Sequence, residues 1–178
     1  MNPDVSSTSR IPTYTGRLVD VLNLNWRDIC IEDIAHALSN YCRFTGHVRH
    51  HYSVAQHSIL VSHVVPQRFA LHGLLHDASE AYLGDISRPL KYSDVMAKYR
   101  ILERRTQETI NGVFGLTINE PKEVKHADNV VLATELRDLF DRVEENLGLP
   151  EPMKQPIQEL GPKTAERMFL ERYKELTK

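Results

Sequence analysis

Apolar residues recur along most of this chain at the three-and-four spacing of helices and almost nowhere at the alternating spacing of strands. Ile31, Ile34, Ala35, Leu38 and Tyr41 form one stripe and predict a helix over 31–41, closed near Gly46. Ser53-Val54-Ala55-Gln56 has the form of a capping box. It opens a second helix on Val54, Leu60, Val61 and Val64, which Val65-Pro66 stops. A third helix is expected over 67–83, ended by Gly84. A charged loop follows at 85–92, where Pro89 biases Arg88 to an extended form. A long amphipathic helix over 93–114 turns Val95, Met96, Tyr99, Leu102, Thr106, Ile110 and Val113 inward and Glu103, Arg104, Arg105 and Glu108 outward. Pro121 fits the first turn of a helix over 121–140, with Val124, Ala127, Val131 and Leu132 on its core face. Prolines and a glycine make 143–162 a loop, and a last helix covers 163–176. Residues 1–12 read as a flexible tail, and 14–22 as a short strand pair or a loop. The expected fold is all-α, a single helical-bundle domain over 13–178.

Composition adds bounds. A chain of 178 residues with 41% hydrophobic content has the size and core of one domain. A net charge of −2 supplies no global field for a nucleic-acid polymer or an anionic membrane, so any anion site is local. Cys30 and Cys42 read as reduced thiols of a cytoplasmic protein and are too few for a cysteine-built zinc site. Residues 1–10 lack the apolar segment of a signal peptide, and no apolar run reaches membrane-spanning length.

The chemistry gathers at Leu74-Leu75-His76-Asp77-Ala78-Ser79-Glu80. On a helix this spacing puts His76 and Glu80 one turn apart, with Asp77 beside them. A buried carboxylate and imidazole need a partner, and a metal ion serves both. A hydrogen-bonded His–Asp pair in a core helix explains the heptapeptide equally well. His57 and Asp128 also lie on apolar stripes, of two other helices. A histidine on such a face is, by itself, more often a satisfied core residue. Together, however, His57, His76, Asp77 and Asp128 supply two imidazoles and two carboxylates, a half-closed shell that leaves positions for water and substrate. His47, His50 and His51 match no tight chelate and read as solvated or substrate-rim residues.

These segments, with Gly84-Asp85-Ile86-Ser87-Arg88-Pro89-Leu90-Lys91-Tyr92 and Lys125-His126-Ala127-Asp128, resemble the HD-domain metal-dependent phosphohydrolases. Within that family they look like the YfbR-like 5′-deoxynucleotidases and the small phage dATP triphosphohydrolases. The resemblance implies that His57, His76, Asp77 and Asp128 hold a divalent ion (zinc, cobalt, manganese or magnesium). It implies that Glu80 orients or deprotonates the attacking water and that Asp85 assists proton transfer. It also implies substrate contacts from Arg43, Phe44, Lys91 and Lys125; Arg88 is added from its position. Phe44 stands where these relatives often place tryptophan. The first expectation is a dNTP triphosphohydrolase of the dATP type, giving deoxynucleoside and triphosphate. The alternative is a 5′-deoxynucleotidase acting on monophosphates. A non-catalytic nucleotide or metal sensor, and a purely structural helical protein, are the other classes. The expected partner is a deoxynucleotide, with neither nucleic-acid polymer nor membrane. A homo-oligomer is implied by the relatives, as a dimer or a dimer-based hexamer, in the cytoplasm or, for a phage protein, that of its host.

Overall fold

The computed structural model describes residues 9–143 and 147–178. Helices dominate them: α1 (Ile31–Asn40), α2 (Val54–Val64), α3 (Ala70–Leu75), α4 (Glu80–Leu83), α5 (Arg88–Lys91), α6 (Ala97–Val113), α7 (Lys122–Asp138) and α8 (Pro162–Leu176). The fold is all-α, as the periodicity requires. Two three-residue strands, β1 (Arg10–Pro12) and β2 (Leu18–Asp20), form an antiparallel pair with Ile11 opposite Val19. One of the two strands therefore falls inside the segment expected to be a tail, of which residues 1–8 lie outside the described residues.

Helix α2 is the central element and packs on α1, α3, α7 and α8. Val54, Ala55 and Ile59 join one core with Ile34, Leu38, Leu74, Leu75, Ile110 and Phe169. Val61 joins a second with Ala70, Val124, Ala127 and Val131. A helix covered on nearly all sides buries its polar residues too, and His57 is fully enclosed in its first turn. The Ser53 side chain caps α2 by accepting from Gln56 N–H at 3.1 Å. The return half of the expected box is not made, because Gln56 Nε2 donates to Gln158 O instead.

Four expected elements are corrected. The helix over 67–83 is broken into a 3-10 turn, α3 and α4. Between α3 and α4 the chain tightens, with Ala78 N–H bonding Leu75 O and Glu80 N–H bonding Asp77 O. His76 Nδ1 donates to Gly73 O at 2.9 Å, taking up the carbonyl that a continuing helix would pair with the Asp77 N–H. Arg88 is not extended before Pro89 but opens the one-turn helix α5, where a proline in the first turn sacrifices no intrahelical bond. The helix over 93–114 starts only at Ala97, after a 3-10 turn at Asp94–Met96 that leaves Val95 87% exposed rather than in the core. Pro121 caps α7 in an extended conformation instead of lying in its first turn.

Candidate metal centre

Three segments converge on one floor. Helix α2 contributes His57, the tight turn after α3 contributes His76 and Asp77, and α7 contributes Asp128. His57 Nε2 lies 3.3 Å from His76 Nε2 and 3.3 Å from Asp128 Oδ1. Asp77 Oδ2 is 3.2 Å from His76 Nε2 and 3.8 Å from His57 Nε2. His57, His76 and Asp128 offer ligating atoms that all lie within 4.8 Å of one another. Asp77 borders the same point through the two rings.

The outward nitrogens show what this point is built for. His57 Nδ1 meets Glu135 Oε1 at 2.6 Å, and His76 Nδ1 meets Gly73 O at 2.9 Å. A carboxylate and a carbonyl can only accept, so each neutral ring carries its proton on Nδ1. Both Nε2 lone pairs then face each other and two carboxylates. Such a set repels itself unless something positive sits between, and mixed imidazole and carboxylate ligation suits a first-row divalent ion. Hydrogen-bonding the far nitrogen is also how metal-ligating histidines are oriented.

Without an ion, the same carboxylates favour a proton at this point instead, on His76. Burial works against charge on His76, but Asp77 and Asp128 outweigh it and push the imidazole up to about 9. Burial likewise opposes ionisation of Asp128, and His57, His76 and Lys125 overcome it and hold the carboxyl far below its usual range. Asp77 is held low against burial by His76, His57 and Arg43.

Above this floor opens a cleft of about 1100 Å³, slightly larger than the usual small-molecule site. Its lining includes Glu80 and Asp85 as well as Arg43, Phe44, Arg88, Lys91 and Lys125. Every residue singled out from the sequence for catalysis or substrate contact therefore faces one space. Glu80 is 4% exposed; Lys91 Nζ stands 3.4 Å from its Oε1, and its Oε2 has no hydrogen-bond partner among the described residues. Burial, then Asp77 and Asp85, raises its carboxyl well above the ordinary value, and burial raises Asp85.

The cations are less free than the sequence suggests. Lys91 bonds Glu103 at 2.7 Å, Lys125 bonds Asp128 at 2.6 Å, and Arg43 bonds Glu135 at 3.1 Å. Among the described residues Arg88 pairs only with Asp128, at 3.5 Å, and its side chain is 55% exposed. Phe44 packs edge-on against Phe140 and under Arg43. Phe44 and Thr45 both have positive φ, 55° and 54°, a conformation costly for a β-branched residue. The loop histidines stay outside the cleft. His50 pairs with Glu159, and His51 Nε2 contacts Ser39 O.

Glu135 escaped the sequence reading. It lies seven residues, two turns, beyond Asp128 on α7, so the stripe through Asp128 and Val131 already pointed to it.

No family model matches the chain. It is 42% identical to the uncharacterized protein YfdR of Escherichia coli K12, over 95% of this chain and 96% of that protein. An uncharacterized protein of Rhodobacter capsulatus is 37% identical over 64% of this chain and 62% of its own length. A protein of Cronobacter sakazakii named 5′-deoxynucleotidase is 34% identical over 65 residues, 35% of this chain and 33% of that protein.

Proposed function

The chain belongs to the family of Escherichia coli YfdR, and on that premise we propose that it is an HD-type, divalent-metal-dependent phosphohydrolase acting on the 5′-phosphate ester of deoxynucleotides. The observation that carries this reading is the pair of Nδ1-anchored imidazoles whose Nε2 atoms meet each other at 3.3 Å, beside Asp77 and Asp128, on the floor of a cation-lined cleft. The similarity to a protein named 5′-deoxynucleotidase supports it.

His57, His76, Asp77 and Asp128 would hold the ion, which when bound acidifies water and polarises a phosphoryl oxygen. The chain's own residues do the rest. Glu80 takes the proton of the attacking water at its unpartnered Oε2. The water oxygen bonds to phosphorus, and the bond from phosphorus to the nucleoside 5′-oxygen breaks. Asp85, whose proton affinity is raised by burial, returns a proton to that oxygen. Arg88 and Lys125, the more exposed cations beside Asp128, bind the non-bridging oxygens.

Charge favours one phosphate over the three of the first sequence expectation. The cleft lining sets the carboxylates of Asp77, Glu80, Asp85, Glu103, Glu108, Glu120 and Asp128 against the cations Arg43, Arg88, Lys91, Arg100, Arg104 and Lys125, and Arg43, Lys91, Arg104 and Lys125 are paired with carboxylates. Little uncompensated positive charge remains for a polyphosphate tail. The test is product analysis on metal-stripped protein reloaded in turn with zinc, cobalt, manganese and magnesium. Inorganic phosphate from dAMP, with dATP left intact, is the expected result. Release of triphosphate from dATP restores the triphosphohydrolase. No turnover of either with any metal rejects hydrolysis in favour of a sensor.

A further inference from the structure

We propose that Glu135 is a positioning residue whose single carboxylate sets both the ligating nitrogen of His57 and the guanidinium of Arg43; the proposal rests on the metal-centre reading above. Glu135 is fully buried, two turns beyond Asp128 on α7. Its Oε1 lies 2.6 Å from His57 Nδ1 and its Oε2 3.1 Å from Arg43, whose other terminal nitrogen stands 3.7 Å from Asp77. The group thus ties the floor of the site to the cation on its wall.

A buried carboxylate beside an arginine is by itself only an ion pair. The two-sided arrangement asks for more, because both neighbours must donate. A carboxylate accepts at both oxygens, whereas an amide accepts at one and donates from the other end. Glutamine at this position has two options. It can accept from His57 and point its NH₂ at Arg43, setting two donors face to face. It can instead accept from Arg43 and donate to His57 Nδ1, which moves the ring proton to Nε2 and blocks ligation. Among residues of this size, only an ionised glutamate leaves Nε2 open and holds Arg43 in place.

The experiment titrates metal-free full-length protein with cobalt(II), read by visible absorption, for the parent, Glu135→Gln and Arg43→Gln. Glu135→Gln is expected to weaken cobalt binding about 10–100-fold and to alter the band, while Arg43→Gln leaves the affinity close to that of the parent. Parent-like cobalt binding by folded Glu135→Gln overturns the proposal. Equal weakening by both variants also overturns it, since the carboxylate would then act only as half of an ion pair. Should Glu135→Gln fail to fold, the His57 tautomer is read by nitrogen-15 NMR on the metal-free parent. A proton on Nδ1 supports the assignment, and one on Nε2 refutes it. A parent that binds no cobalt refutes the metal centre itself, a different failure from any of these.

Discussion

Glu80 concentrates the chemistry of the cleft in one side chain. It is almost wholly buried, one oxygen faces Lys91, and the other has no partner among the described residues. A carboxyl in that state binds a proton more readily than one in water, and the close group of possible ligands consists of His57, His76 and Asp128. Glu80→Gln is therefore expected to keep the fold and the bound metal while lowering kcat by roughly 10²–10⁴-fold, the usual share of a proton-transfer group. Steady-state rates measured beside metal content check this. Near-parental turnover would show that another group takes the proton. The residue types and spacings made Glu80, the two histidines and the two aspartates legible in the sequence. Glu135 was equally on the stripe, but a glutamate near a helix C-terminus reads as solvated until its neighbours are known.

At the scale of elements, the site depends on how closely α3 approaches α2. Gly73 makes that approach possible: a Cβ there would lie 3.1 Å from Ser62 Cα and 3.1 Å from Val65 Cγ1. Its carbonyl is also the group that orients His76. Gly73→Ala is expected to press the two helices apart, destabilise the protein by about 1–3 kcal/mol, and weaken metal binding by displacing His76. Thermal unfolding with and without metal measures both effects. An unchanged Tm and affinity would mean that α2 yields without cost. The break between α3 and α4 belongs to this scale as well. The apolar pattern over 67–83 is continuous, and local propensity gives no reason to interrupt it. The interruption comes from a ring-to-carbonyl bond within one turn, made where the ring is turned toward a site assembled by other helices.

For the whole molecule, the N-terminal strand pair is clasped to the bundle by Asp33 at the start of α1. Asp33 accepts from Thr15 N–H at 2.7 Å, from the Thr15 hydroxyl at 3.0 Å and from the Cys30 thiol at 3.1 Å. Burial raises its carboxyl, but the Cys30 and Thr15 hydrogen bonds outweigh that and hold it below the ordinary 3.8. A value depressed by folding stabilises the native state fully above the unfolded value, and the gain is lost as pH falls through the folded one. Asp33→Asn should therefore cost about 1–3 kcal/mol near neutrality. The difference from the parent should shrink below pH 3.8. Urea unfolding at neutral pH and near pH 3 tests the sign, and a gap that widens in acid would refute it.

Sequence alone determined the all-helical class and singled out candidate residues, of which His57, His76 and Asp128 are brought to one point with cations nearby. Class and candidates are properties of composition and period, which the chain carries wherever it folds. Only the tertiary structure decided three further things. Glu135 joins His57 to Arg43, Lys91 and Lys125 are already matched by carboxylates, and the His76 turn departs from the helix. Each depends on distances between residues far apart in the chain, and hydrophobic periodicity constrains which face is buried without fixing what that face meets.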